Sequence, residues 1–293
     1  MKIYIAGANS FIGKNLIEYL INNTSYNLDL TSYRYNQDQI DFNNYDIIID
    51  LIGKAHQDES KTELSEFIDI NYGVTKQIFD KFLISKSKVF IYISSVKAVG
   101  EKFDEPLTEN NLPNPTSFYG ISKLMAENYL LNNQLNSEKK IFILRPCMIH
   151  GPGNKGNLNI LYKFTKYNRF WPLGSYNNNR SFCSIENLCF VILNLIEQDI
   201  DSGIYNIADT NPVSTNKIIS LISKNNVIIK FPKYFINFFL FFCKLFSIMY
   251  FIEIFKKLTN SYLVDNSKIL KAIGKNLPIE SIDGLKKTIK SFK

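Results

Sequence analysis

Tyr119 and Lys123 stand four residues apart in Tyr119-Gly120-Ile121-Ser122-Lys123, a spacing that a helix turns onto one face. An ammonium held beside a phenol lowers its pKa, and the tyrosinate can then exchange a proton with a carbinol or a ketone. This pattern alone is common and usually means nothing. It gains weight from Ser94-Ser95, which closes the apolar run Val89-Phe90-Ile91-Tyr92-Ile93. Hydroxyls at the carboxyl end of a parallel strand face the crevice where such sheets hold a cofactor. A second set lies at the start of the chain, in Gly7-Ala8-Asn9-Ser10-Phe11-Ile12-Gly13. Here Gly7 allows a tight turn, Gly13 lets helix and strand approach, and free amides at a helix start face a pyrophosphate. Dinucleotide fingerprints usually carry a central glycine, and Ser10 takes that place. A Ser–Tyr–Lys trio on a dinucleotide-binding scaffold is specific.

The elements that must position these groups are legible from apolar runs and turns. Lys2–Ala6 is a strand that stops at Gly7, and Phe11–Ile21 has helical periodicity. Further strands are expected at Leu28–Tyr33, Asp46–Ile52, Val89–Ile93 and Lys140–Pro146, with helices at Glu63–Lys86 and Tyr119–Leu135. Alternating strands and helices predict an α/β chain, a Rossmann-type doubly wound parallel sheet with a smaller C-terminal substrate-binding domain. The expected boundary puts a cofactor-binding domain at 1–150. Residues 151–293 mainly form the second domain, with some elements packing back on the first. In that half a helix at Ile185–Gln198, a strand at Gly203–Ile207 and a helix from about Ser214 follow.

Composition narrows the function classes. With 45% hydrophobic and 21% charged residues among 293, a sizeable core can form and wholesale disorder is excluded. Cys147, Cys183, Cys189 and Cys243 never take C-x-x-C spacing, and His56 and His150 are far apart, so no sequence-local metal site is expected. Few, unpaired cysteines fit a reducing compartment. The N-terminus reads as a strand and glycine turn rather than a signal peptide.

The net charge of +7 sits in the tail: Phe231–Lys293 carries 11 Lys and 4 acids, and the rest is neutral. An all-lysine tail without arginine stripes argues against nucleic acid. Within it, Tyr234–Ile252 is nearly all apolar, with Asn237, Lys244 and Ser247 as polar exceptions. Lys244 near the centre makes a bilayer crossing costly. Residues 232–257 thus predict either peripheral contact with an anionic membrane or a hairpin buried in the second domain.

Taken together these motifs resemble an extended short-chain dehydrogenase/reductase of the NAD-dependent, nucleotide-sugar-modifying epimerase/dehydratase family. The resemblance covers nearly the whole chain. Ser94-Ser95-Val96-Lys97-Ala98-Val99-Gly100 is similar to the family's catalytic Ser/Thr segment, and counting back from Gly100 implies Ser95 as the catalytic hydroxyl, beside Tyr119 and Lys123. Asn71, in Asn71-Tyr72-Gly73-Val74-Thr75, matches the asparagine that supports the active-site helix. Leu144-Arg145-Pro146-Cys147-Met148-Ile149-His150-Gly151-Pro152-Gly153 is similar to L-R-P-x-x-x-Y-G-P-G, which implies His150 as a pocket wall. For the cofactor the resemblance implies Gly7, Asn9, Ser10, Phe11, Ile12 and Gly13, then Leu51, Ile52, Asn71, Tyr119 and Lys123, with Asp41 at the adenine. For the sugar nucleotide it implies Ser95, Lys97, Asn157, Trp171 and Arg180, the last clamping a phosphate.

The family's 4,6-dehydratases carry an Asp-Glu pair after the catalytic threonine. Here Val96 and Lys97 stand there, so dehydration is disfavoured. A 4-epimerase and a 4-keto reductase need the same trio. The segments around Ser95, Tyr119 and Leu263-Val264-Asp265-Asn266-Ser267-Lys268 look most like reductases of UDP-4-keto-6-deoxy-N-acetylhexosamines in surface-polysaccharide synthesis. The cofactor is NAD or NADP. Arg34 at the end of the second strand leans toward NADP, whereas Asp29 can be read as the acid of an NAD site. The expected partner is a UDP-sugar, a homodimer is compatible, and the expected location is cytoplasmic, at the inner face of the membrane if 232–257 docks there. The alternative of another class is a non-catalytic dinucleotide-binding sensor or scaffold.

Overall fold

The first strand, β1 (Lys2–Ala6), sends Ile3 and Ile5 to one face and Tyr4 and Ala6 to the other, and both faces are buried. That two-sided burial is the mark of a parallel sheet covered by helices. In the computed structural model, which describes residues 1–292 except 32–39, 56–60, 104, 134–135, 155, 168–169, 223–226 and 247, the chain continues with α1 (Phe11–Asn23), β2 (Asn27–Thr31), β3 (Ile47–Asp50), α2 (Leu64–Ile68), α3 (Thr75–Ile84), β4 (Val89–Ile93), α4 (Phe118–Asn132) and β5 (Lys140–Pro146). Short β6 (Met148–His150), α5 (Asn157–Tyr167), β7 (Phe170–Trp171) and β8 (Phe182–Ser184) follow, then α6 (Ile185–Glu197), β9 (Gly203–Ile207), α7 (Thr215–Ile222) and β10 (Val227–Ile228). The chain ends in α8 (Lys233–Leu245), α9 (Met249–Thr259), α10 (Ser267–Ile273) and α11 (Ser281–Lys290).

Six parallel strands run in the order β2-β1-β3-β4-β5-β9. The order reverses between β1 and β3, which opens a crevice at their carboxyl ends. One face packs Ile3, Ile5, Ile91 and Ile93 against α1 and α6, and the other packs Tyr4, Phe90 and Tyr92 against α3 and α4. The sixth strand and α6 come from beyond residue 150, so the central sheet draws on both halves of the sequence. Two-stranded pairs β6–β8 and β7–β10, with a small core of Leu158, Phe182, Val213, Ile218 and Leu285, build the rest.

Two expected elements differ in form. The single helix at Glu63–Lys86 is α2 and α3 joined by a π-helical segment, Asp69–Val74. Its cause is Asn71, fully buried, whose amide accepts from the Lys54 amide (2.6 Å) and donates to the Lys54 carbonyl (3.1 Å) and Ser122 Oγ (2.8 Å). One wider turn aims this side chain inward, as π-bulges at working sites do. The apolar segment Tyr234–Ile252 is a pair of helices, α8 and α9. A buried hairpin is not what forms: Phe235, Phe238, Phe239 and Phe241 are 58–64% exposed, and Cys243 is the one buried residue of α8.

Candidate active site

Ser95 follows β4 and caps a short 3-10 turn, Val96–Ala98, its Oγ accepting from the Lys97 amide at 3.2 Å. The chain then returns to start α4, and Glu101 fixes that entry. Its carboxylate accepts from the amides of Thr116 and Ser117 (3.1 Å each) and from both hydroxyls (2.9 and 2.5 Å). Burial pushes the Glu101 pKa up, but the hydrogen bonds from Ser117 and Thr116 outweigh it and hold the carboxyl below its ordinary value. Ser117 in turn caps α4 by accepting from the Gly120 amide.

Tyr119 therefore lies in the first turn of α4, with its phenol against the Ser95 hydroxyl. Burial pushes the phenol up to about 12; the Ser95 hydrogen bond opposes that, and the negative charge of Glu127 adds to it. Lys123, one turn on, is 2% exposed and donates to the carbonyls of Ile93 (2.8 Å) and Ile52 (3.2 Å), with its ammonium over the Tyr92 ring at 4.6 Å. Burial draws its pKa down to about 8, against the pull of Asp50 and Glu127. The expected depression of the Tyr119 pKa by Lys123 is thus not what the structure has. The ammonium is spent on the carbonyl ends of the sheet, and burial dominates the phenol.

Behind the trio lie two buried acids that motif reasoning missed. Asp50, the last residue of β3, accepts from the Ile52 amide (2.9 Å) and Thr75 Oγ1 (2.8 Å), and burial raises its pKa although Lys123 opposes the rise. Glu127 accepts from Ser94 Oγ (2.5 Å) and pairs in two-pronged fashion with Arg145, Nη2 at 2.6 Å. An acid closing an apolar strand, or four residues past the motif lysine, was the available signal.

At the crevice, Gly7 has φ +82°, and a Cβ there would stand 3.0 Å from the Leu51 carbonyl carbon. A Cβ on Gly13 would come within 2.5 Å of the Ala8 carbonyl oxygen, so only glycine lets α1 seat on the turn. Ser10 replaces the central glycine because it is the N-cap of α1, its Oγ accepting from the Gly13 amide at 2.9 Å. The first intrahelical bond runs from Lys14 to Ser10 (3.0 Å), which leaves the Phe11 and Ile12 amides at the open helix end. These features fit a dinucleotide pyrophosphate. Asn9 is exposed and lines a groove of about 330 Å³ with Ala8, Lys14, Ile17 and Leu30. Leu51 and Ile52 are buried beside the turn.

Other expected contacts are placed differently. Asp41 is exposed and caps a 3-10 turn, accepting from the Asn43 amide at 2.9 Å. Asp29 accepts from the Tyr45 hydroxyl at 2.6 Å through one of its two carboxylate oxygens. Arg34 lies outside the described residues. Lys97 is exposed on the Ser95 turn, and Asn157 opens α5. Trp171 is buried in the second lobe, its indole donating to Asn216 (2.9 Å), which is core packing. His150 is also buried, between Thr288 (Nδ1 to Oγ1, 2.9 Å) and Asp209 (Nε2 to Oδ2, 3.4 Å), and so joins separate elements. Arg180 is half-buried and donates to the Lys257 carbonyl. Tyr262 forms a β-bridge with Arg180, and its hydroxyl donates to the Gly100 carbonyl at 3.2 Å, which links the Arg180 segment to the loop after the Ser95 turn.

A parallel doubly wound sheet with a glycine turn at its switch point and Ser, Tyr and Lys converging on its carboxyl edge defines a dinucleotide-dependent oxidoreductase-type site. Residues 3–208 match the model of the NAD dependent epimerase/dehydratase family, and the chain belongs to it. The chain is 25% identical over 314 residues to a UDP-glucose 4-epimerase of Vibrio cholerae, covering 99% of this chain and 95% of that one. It is 25% identical over 240 residues to an N-acetyl-alpha-D-glucosaminyl-diphospho-ditrans,octacis-undecaprenol 4-epimerase of Escherichia coli O157:H7 (76% and 72% covered). With a GDP-6-deoxy-D-mannose reductase of Pseudomonas aeruginosa it shares 23% over 241 residues (76% and 79%). Among solved structures, UDP-glucuronic acid 4-epimerase from Bacillus cereus with NAD superposes with a TM-score of 0.76 at 21% identity (100% and 98% covered), and RMD from Pseudomonas aeruginosa with NADPH at 0.75 and 19% (99% and 98%). Relatives at this distance are sugar epimerases and reductases, consistent with an NAD(P)-dependent enzyme of nucleotide-sugar metabolism.

Proposed function

We propose that this enzyme reduces the C4 ketone of a UDP-4-keto-6-deoxy-N-acetylhexosamine with NAD(P)H. The Ser95–Tyr119 pair at the end of β4 supports ketone–carbinol chemistry, which a 4-epimerase would share. Val96 and Lys97 stand where dehydration would need two carboxyl groups, and the likeness of the segments around Ser95, Tyr119 and Leu263–Lys268 to keto-reductases carries the choice of reduction. A bound nicotinamide supplies the hydride. Ser95 donates a hydrogen bond to the ketone oxygen, and Tyr119, protonated because its pKa is near 12, delivers the proton to the alkoxide at C4. Lys123 holds positive charge beneath the site and reaches a ribose hydroxyl from its place by Ile52 and Ile93. Residues 151–293 mainly hold the sugar nucleotide, with Arg180 and Asn157 at its diphosphate. Arg34, following β2, favours a 2′-phosphate and so NADP.

Incubation with UDP-4-keto-6-deoxy-GlcNAc and NAD(P)H, followed by nicotinamide absorbance and NMR of the product, tests the reading. Stoichiometric oxidation with a 6-deoxy-N-acetylhexosamine product is expected. The second reading, a 4-epimerase, is favoured by the epimerase relative that spans nearly the whole chain. An epimerase returns the hydride it takes. Interconversion of UDP-GlcNAc and UDP-GalNAc without added cofactor, and no oxidation with the keto-sugar, would select it.

A further inference from the structure

We propose that the α8–α9 hairpin docks this protein onto the interface of an anionic lipid bilayer. The inference rests on an apolar face that the fold leaves open and on the charges around it. On α8, Ile236, Leu240 and Cys243 follow i, i+4, i+7 spacing and turn inward, and Cys243 is 4% exposed. The opposite side shows Phe235, Phe238, Phe239, Phe241, Leu245 and Phe246, all between 58% and 67% exposed. So many adjacent exposed aromatics on one helix form a continuous apolar patch of the kind that marks an interaction surface.

Charge complementarity selects the partner. Lys233 begins α8, Lys244 lies in its last turn, and Lys256 and Lys257 lie in the last turn of α9, all exposed. None of the four forms an ion pair among the described residues. A second copy of this chain would bring like charges together around the same patch, whereas anionic headgroups neutralise them. Lys244, awkward inside a bilayer, reaches headgroups from a helix lying in the interface. Thirteen residues make α8 roughly 20 Å long, and no helix among the described residues is long and apolar enough to cross a membrane. An in-plane helix sunk roughly 5–10 Å into the headgroup boundary meets both conditions.

The hairpin is also firmly tied to the body. The carbonyl of Leu258, in the last turn of α9, accepts from Asn178 (3.1 Å) and Thr215 (2.9 Å), and the Tyr176 and Phe255 rings meet edge to face at 5.1 Å. Docking therefore fixes the orientation of the whole molecule rather than tethering it.

The test is cosedimentation of the full chain with vesicles of equimolar phosphatidylglycerol and phosphatidylcholine, against phosphatidylcholine alone. Binding to the anionic vesicles, weakened by salt, is expected. The double substitutions Phe238→Ser/Phe239→Ser and Lys233→Glu/Lys244→Glu should each weaken it about tenfold or more while circular dichroism stays unchanged. A Phe241→Trp reporter should shift to the blue on adding vesicles, since the native Trp171 is buried. No sedimentation with anionic vesicles, or equal sedimentation of all variants, overturns the proposal. So does a lipid-free dimer that Phe238→Ser/Phe239→Ser converts to monomer, because the patch would then be a protein interface.

Discussion

Tyr119 and Lys123 sit one helical turn apart, but burial sets their proton affinities in opposite directions. The phenol is pushed up to about 12 and the ammonium down to about 8. Tyr119 is therefore a proton donor throughout the neutral range, as a ketone reductase requires. Tyr119→Phe should fold and bind cofactor yet lose about two decades of turnover, the scale of one general acid. Near-wild-type turnover would remove Tyr119 from the chemistry. Lys123 predicts a pH effect with two signs. Reduction should be level below about pH 8 and decline above it as the ammonium is lost. Stability of the free protein should move the other way. The folded pKa lies below the usual lysine value of 10.5, so between about 8 and 10.5 the unfolded chain binds more protons, and stability rises with pH there. A kcat/KM profile and urea midpoints over that range check both. A rate that rises while stability falls would contradict the burial of a protonated Lys123.

The strand-to-helix junctions set the spacing of these groups. A Cβ on Gly120 would stand 2.4 Å from the Lys97 carbonyl oxygen, so Gly120→Ala must push α4 from the Ser95 turn by about 1 Å to reach ordinary contact. A shift of that size between reacting groups costs about 100-fold. Gly120→Ala is thus expected to lower kcat by roughly that factor, measured at saturating substrate, while far-ultraviolet circular dichroism keeps its helical signal. An unchanged kcat would mean that the junction yields elsewhere. The π segment Asp69–Val74 does comparable work by aiming Asn71 at Ser122 and Lys54, beneath α4.

At the scale of the molecule, β4, α4 and β5 are joined by the buried chain Ser94–Glu127–Arg145. Breaking a buried pair from one side leaves an uncompensated charge, typically about 3–5 kcal/mol. Glu127→Ala should therefore lower the unfolding free energy read from urea denaturation by an amount of that order, and a loss under about 1 kcal/mol would show that the site relaxes or hydrates. Arg34→Asp should weaken NADPH binding far more than NADH binding, read as dissociation constants by fluorescence, because it replaces a partner of the 2′-phosphate with a like charge. Equal effects would place Arg34 outside the pocket.

By itself the sequence determined the parallel sheet and named the candidate Tyr119–Lys123 pair. Short β-branched and aromatic runs such as Ile47-Ile48-Ile49 and Val89–Ile93 suit strands buried on both sides, and glycine turns and the Tyr119–Lys123 spacing are local facts of the chain. Tertiary structure decided what depends on partners far along the chain. Asn71 widens its helix because Ser122, 51 residues away, comes within 2.8 Å. Trp171 and His150, which a motif comparison sends to the substrate pocket, are taken into the interior by Asn216, Thr288 and Asp209. Asp29 is met by the Tyr45 hydroxyl, 16 residues along the chain. Hydropathy cannot say whether an apolar helix is covered, since burial is a property of what packs against it. Only the fold shows that α8 keeps one narrow stripe inside and leaves its phenylalanines to solvent.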